Sequence, residues 1–158
     1  MHSADSPGVA AGLHPSPSDR VDVPARREAC LRIPADMAAV REVRGRLADM
    51  LVAGGWRDGD VGRVLLAVTE ALGNAVEHGS REDAEVDLVV TVAPARAVVA
   101  VRDHGRLGTD LPDGPPALPP PTRLRGRGRL IMSVLADRCE TRRRGTGFEV
   151  VLEFSSEG

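Results

Sequence analysis

The stretch Glu70-Ala71-Leu72-Gly73-Asn74-Ala75-Val76-Glu77-His78-Gly79 decides how this chain is read. Glu70, Asn74 and His78 recur at every fourth position. On an α-helix, at about 100° per residue, that spacing puts them on one stripe drifting only about 40° per step. Val61, Leu65, Val68, Leu72 and Val76 form a second, apolar stripe on roughly the opposite side. One face of this helix is built for packing. The other offers a carboxylate, an amide and an imidazole to something polar.

Outward from this helix, the chain divides into short, well-punctuated elements. Asp58-Gly59-Asp60 begins the helix, and it stops near Gly79. Upstream, Pro34-Ala35-Asp36 opens an earlier helix with Asp36 as N-cap, running to about Ala53. Its apolar side is Val40, Val43, Leu47, Met50 and Leu51, and Gly54-Gly55 ends it. Glu28 to Ile33 alternates weakly, as a short edge strand would. Residues 1–25, rich in Ser, Pro, Gly, Ala and Asp without a period, read as a disordered tail before one domain over 26–158.

Downstream, Val86–Ala93 and Ala97–Arg102 are strand-like and separated by Pro94-Ala95-Arg96, a hairpin signal. Asp103-His104-Gly105 follows directly. Residues 106–125 carry six prolines, at 112, 115, 116, 119, 120 and 121. A loop of that length is uncommon in a compact domain unless it has a function. Gly126-Arg127-Gly128 opens a third helix through about Ala136. Two strands, Arg138–Arg143 and Phe148–Phe154, close around Gly145-Thr146-Gly147. The expected fold is α+β: a two-layer sandwich of a mostly antiparallel mixed sheet with helices on one face.

Composition excludes several functions. The net charge of −2 gives no bias toward nucleic acid or a membrane surface. All 21 basic residues are Arg, so neither a Lys-bearing phosphate loop nor a Lys Schiff base is available. Trp56, Phe148 and Phe154 are the only aromatics, too few for a base-stacking surface on single strands. Cys30 and Cys139 lie far apart and make neither a metal pair nor a disulfide scaffold. With no membrane-length apolar run and no signal-peptide pattern, the expected location is cytoplasmic.

Four pieces carry polar groups in suggestive places: Glu70/Asn74/His78, Asp103-x-Gly105, Gly126-x-Gly128 and Gly145-Thr146-Gly147. Singly, each has an ordinary explanation. A helical Glu is usually solvated, Asp-x-Gly after a strand is usually a turn, and a lone Gly-x-Gly is a weak phosphate signal. His78 near a helix C-terminus suits the dipole there. Their order in one chain is far more specific.

In that order the sequence resembles the GHKL (Bergerat-fold) ATP-binding superfamily, most closely the bacterial anti-sigma-factor serine/threonine kinases. The resemblance spans about residues 28–154. Glu70-x-x-x-Asn74-Ala75-x-x-His78 is similar to the N box, and Val101-Arg102-Asp103-x-Gly105 to the G1 box. Gly126-Arg127-Gly128-x-Leu130-Ile131, running on to Leu135-Ala136-Asp137, is similar to the G2 box. The chain departs from the pattern at Arg106-Leu107 before Gly108, at Arg129, and in a proline-heavy lid. In the last hairpin, Thr146 or Phe148 takes the family's Thr position.

The resemblance implies a role for each residue. Glu70 would be the general base, and Asn74 a ligand of Mg²⁺ on the nucleotide phosphates. Asp103 would read the adenine amine, with Gly105 leaving room for the ring. Gly108, Arg125, Gly126, Arg127 and Gly128 would surround the phosphates, with 106–125 as the ATP lid and Thr146 at the adenine end. Implied partners are a sigma factor and an anti-anti-sigma (STAS-type) protein, with a homodimer also expected. Other readings are a non-catalytic ATP-gated module that sequesters its partner, a detached histidine-kinase catalytic domain, and an Arg-rich nucleic-acid surface. Near neutrality and few aromatics count against the last. No long helix with an exposed phosphoacceptor His supports the detached domain.

Overall fold

The computed structural model describes residues 25–78, 84–105 and 127–156. The tail expected over 1–25, save its last residue, lies outside these residues, as does the whole lid expected over 106–125. In chain order the elements are β1 (Arg27–Pro34), α1 (Met37–Ala53), α2 (Asp58–His78), β2 (Glu85–Ala93), β3 (Arg96–Asp103), α3 (Gly128–Leu135), β4 (Arg138–Arg144) and β5 (Gly147–Ser155). They match the sequence-based elements to within one or two residues.

Local chemistry accounts for most boundaries. Asp36 caps α1, its Oδ1 accepting from the Ala39 N–H at 2.7 Å. Gly54 closes α1, its N–H donating to the Met50 and Leu51 carbonyls. Trp56 is buried in the α1–α2 connection, and its indole N–H donates to the Ala93 carbonyl at 2.8 Å. That bond holds the helix pair over the β2–β3 turn.

The described strands form one sheet in the order β1-β2-β3-β5-β4, and every pairing in it is antiparallel. Alternation puts one set of side chains under the helices. Ile33, Val86, Leu88, Val90, Val92, Ala97, Val99, Val101, Leu152 and Phe154 are all buried. The opposite face keeps Arg32, Asp87, Val89, Arg142 and Glu149 with the solvent-side residues. This is the expected α+β two-layer arrangement.

α2 is the central helix. Its packing face is broader than the five-residue stripe: Val61, Val64, Ala67, Val68, Ala71, Leu72 and Ala75 are buried, whereas Leu65 and Val76 are half-buried. The extra width has a cause. α2 packs against the sheet and is flanked by both α1 and α3, so small residues at 67, 71 and 75 let these neighbours approach.

α3 runs antiparallel to α2, and Arg63 locks its C-terminal end. The Arg63 guanidinium donates to the Leu135 carbonyl (3.3 Å), to Asp137 Oδ1 (3.3 Å) and to the Ser155 carbonyl (2.5 Å). It also pairs with Asp60 and lies over the Phe154 ring. Asp137 in turn accepts from the Ser155 N–H. That backbone hydrogen bond, aided by Arg63, holds the Asp137 carboxyl below the usual carboxylate range despite some burial.

Candidate functional site

The N-terminal end of α3 meets the polar stripe of α2. A Cβ built on Gly128 would lie 2.9 Å from Glu70 Oε2 and 3.2 and 3.3 Å from the two ends of the Asn74 amide. Both side chains therefore converge on the first residue of α3, close enough that a Cβ there would displace their ends. Glu70 and Asn74 are half-buried between the helices, not presented outward on a free face. The stripe is a seam, with α3 as its other wall.

Arg127, just before this helix, is exposed and makes no capping bond through its side chain. The first-turn N–H groups of α3 thus have no side-chain acceptor at the N-cap. A helix start of this kind carries roughly half a positive charge and is suited to an anion. Gly128 is the first helical residue, so its backbone supplies the nearest of these donors.

A second set of groups is built where β3 ends. Gly105 sits at φ 72°, a conformation that side chains disfavour. A Cβ there would run into the Thr146 carbonyl, and one on Gly147 would run into the Asp103 carbonyl. The two glycines let the turn after β3 interlock with the β4–β5 turn. Thr146 Oγ1 donates to the His104 carbonyl at 2.7 Å, and the Phe148 N–H donates to Asp103 Oδ1 at 3.3 Å. His104 Nε2 lies 3.0 Å from Asp87 Oδ2. Hydrogen bonding from Arg32 is the main cause that lowers the Asp87 carboxyl pKa.

These two sets lie at the same end of the molecule. Arg63 and Leu135 are tied to Ser155, which pairs with Arg96 at the far end of β3. From Arg63 to Asn74, α2 climbs about 16 Å at 1.5 Å per residue. From Ser155 back to Phe148, β5 runs about 23 Å at 3.3 Å per residue. Glu70, Asn74 and Gly128 are thus carried toward the sheet end that holds Asp103, Gly105 and Thr146. Asp103 continues the alternation of Ala97, Val99 and Val101, which places it on the helix face.

Of the residues singled out from sequence, Glu70, Asn74, Asp103, Gly105, Arg127, Gly128 and Thr146 are therefore gathered at one end. Gly108, Arg125 and Gly126 lie outside the described residues. Of His78 only its place as the last residue of α2 is described. Arg63 escaped the sequence reading, though a signal was there. It precedes Glu70 by seven residues, two helical turns, and so begins the same polar stripe.

The chain is an α+β domain with an open antiparallel sheet, and it sets a polar helix seam, an anion-suited helix start and a strand-end carboxylate at one end. Residues 33–154 match the family model of the histidine kinase-like ATPase domain, and the chain belongs to that family. Membership implies that the domain binds ATP. A comparison with characterised protein sequences gave no match. Among solved structures, the chain is similar to the crystal structure of the RsbU and RsbW domains of Rv1364c from Mycobacterium tuberculosis. The TM-score is 0.60 at 20% identity, covering 82% of this chain and 32% of that one. The chain thus spans about a third of the length of that two-domain chain. Among the described residues, no helix is long and apolar enough to cross a membrane.

Proposed function

We propose that this chain is an ATP-dependent protein serine/threonine kinase that acts as an anti-sigma regulator and phosphorylates an anti-anti-sigma partner of STAS type. One observation carries the reading: Glu70 and Asn74 converge on Gly128 at the start of α3. This juxtaposition brings a potential base, a neutral oxygen ligand and an anion-accepting helix start together at one point. The order of the three boxes, similar to that of the anti-sigma kinases, supports the regulatory half of the proposal.

The residues present fit a nucleotide. Gly128 leaves open the space that a Cβ would fill beside Glu70 and Asn74. The α3 N–H groups would hold phosphate oxygens, and Asp103 would accept from the adenine amine. Asn74 would bind Mg²⁺ through its amide oxygen, and the metal, when bound, would neutralise phosphate charge. Glu70 would accept the proton of the partner's hydroxyl as that oxygen attacks the γ-phosphorus, with the bond to the β,γ-bridging oxygen breaking and ADP leaving. Phosphoryl transfer needs little more from a protein than such positioning and charge compensation. Gly105 and Thr146 would hold the turn that presents Asp103. By the same resemblance Arg127 would add to the phosphate surround, as would Gly108, Arg125, Gly126 and a lid over 106–125, all outside the described residues.

The test is transfer of labelled phosphate from ATP to a STAS-type protein encoded beside this chain. The expected outcome is Mg²⁺-dependent labelling of a Ser or Thr, lost in Glu70→Ala. Transfer that survives Glu70→Ala unchanged would refute the base assignment. Tight Mg-ATP binding with no transfer would favour the non-catalytic, ATP-gated binding module, a reading motivated by the altered spacing between Gly105 and Gly108.

A further inference from the structure

The three consecutive arginines of β4 are sorted by strand alternation. Arg142 and Arg144 turn to the outer face, where their Nε groups donate to Glu149 Oε2 at 2.6 and 3.2 Å. Arg143 turns the other way. Its guanidinium carbon lies over the Phe148 ring, 5.9 Å from the centroid. Phe148 is opposite Arg143 in the β4–β5 register, and it continues the inward series of Leu152 and Phe154. It is nevertheless only half-buried, while Phe154, at the other end of β5, is fully buried.

Phe148 also adjoins Asp103. Its N–H donates to Asp103 Oδ1, and the β3–β5 register, carried one step past Arg102 and Glu149, sets the two residues opposite each other. Directly opposed residues in an antiparallel pair project to the same face. Asp103, Phe148 and Arg143 therefore form a row across β3, β5 and β4, on the helix face and at the Gly128 end. The row offers a carboxylate, a partly open aromatic face and a guanidinium. No other aromatic of the chain is near: Trp56 is hydrogen-bonded at the opposite end, beside Ala93, and Phe154 lies under Arg63.

We propose that Phe148 is the stacking platform for the adenine ring and that Arg143 closes over the base from the other side. This rests on the ATP reading of the site and adds to it a specificity element. A planar base between them needs about two contact separations of roughly 3.5 Å, or about 7 Å. The present separation of 5.9 Å is near that value, and Arg143, exposed on an edge strand, has room to withdraw by the difference. The base would exchange a cation–ring contact for a sandwich in which both planes meet it, with the Asp103 carboxylate at its edge.

Calorimetric titration with Mg-ATP and with Mg-triphosphate, which lacks the nucleoside, tests the proposal on the full chain. Phe148→Leu is expected to weaken ATP about ten-fold, as loss of one stacking contact does, and to leave triphosphate unchanged. Arg143→Ala is expected to weaken ATP by a smaller factor, again without effect on triphosphate. Equal affinity of wild type and Phe148→Leu for ATP would overturn the proposal, as would parallel losses for both ligands. Phe148→Trp gives a second readout that does not depend on truncating the side chain. The emission of the introduced indole is expected to change with ATP and not with triphosphate, over the constant signal of buried Trp56. An indole at position 148 that stays unresponsive in a variant still binding ATP would refute the platform alone. Absence of ATP binding by wild type would instead remove the underlying nucleotide reading.

Discussion

The two ends of α3 are built on opposite plans. At the C-terminal end, Arg63, Asp60, Asp137 and the backbone of Leu135 and Ser155 form a dense network. At the N-terminal end, Gly128 stands against Glu70 and Asn74 with no capping side chain from Arg127. One end holds the helix in place, and the other presents groups. Because a helix of eight residues is nearly rigid, anchoring its foot also aims its start. The difference shows how stability and chemistry are kept apart in a small domain: hydrogen bonds and ion pairs are concentrated at the end away from the candidate site.

That contrast is sharpest if the working end is disabled without touching the foot. Glu70→Gln is expected to lower phosphotransfer by roughly 10²–10⁴, the usual worth of a positioned base, and to leave ATP affinity and the melting temperature nearly unchanged. Steady-state transfer beside calorimetry checks it. Gly105→Ala is next: the φ of 72° and the overlap with the Thr146 carbonyl should cost about 2–4 kcal/mol. Urea unfolding measures this, and a loss below about 0.5 kcal/mol, within the range of ordinary surface changes, would deny that the two turns interlock.

The converse is to loosen the foot. Arg63→Met keeps the aliphatic stem but removes the donors, and is expected to destabilise by about 2 kcal/mol, since Leu135, Asp137 and Ser155 lose a shared partner. ATP affinity of the folded fraction should then fall less than in Gly128→Val, whose side chain enters the seam directly. The smallest effect is in pH. The Asp137 pKa is lowered on folding, so its contribution is present above the ordinary unfolded carboxylate value. It is lost as pH falls through the lower, folded value. Asp137→Asn should therefore lessen the decline in melting temperature as pH falls below the ordinary carboxylate value, the side on which a lowered pKa acts. A variant with the wild-type pH profile would assign the linkage elsewhere.

Much of this was legible in the chain. Asp36 is a cap in the sequence and in the structure, Gly54 ends α1 in both, and the β2–β3 and β4–β5 hairpins fall where Pro94-Ala95 and Gly145-Thr146 mark them. These are local effects, decided by neighbours in the chain. The width of α2's packing face was not legible. Ala67, Ala71 and Ala75 look neutral in sequence and are buried because the sheet and the flanking helices close on α2. What Arg63 anchors was not legible for the same reason: Leu135 and Ser155 lie 72 and 92 positions away.

The sequence by itself determined which groups exist and how they are spaced: a carboxylate and an amide one helical turn apart, an Asp-x-Gly at a strand end, and a Gly-x-Gly at a helix start. Periodicity and turn chemistry are short-range, so spacing suffices for them. Only the tertiary structure decided that β5 inserts between β3 and β4. That insertion sets Phe148 beside Asp103 and Arg143. Only the tertiary structure decided, too, that α3 lies antiparallel along α2 with Gly128 against Glu70 and Asn74. Both depend on burying apolar faces from distant parts of the chain together, and no local pattern specifies which faces meet.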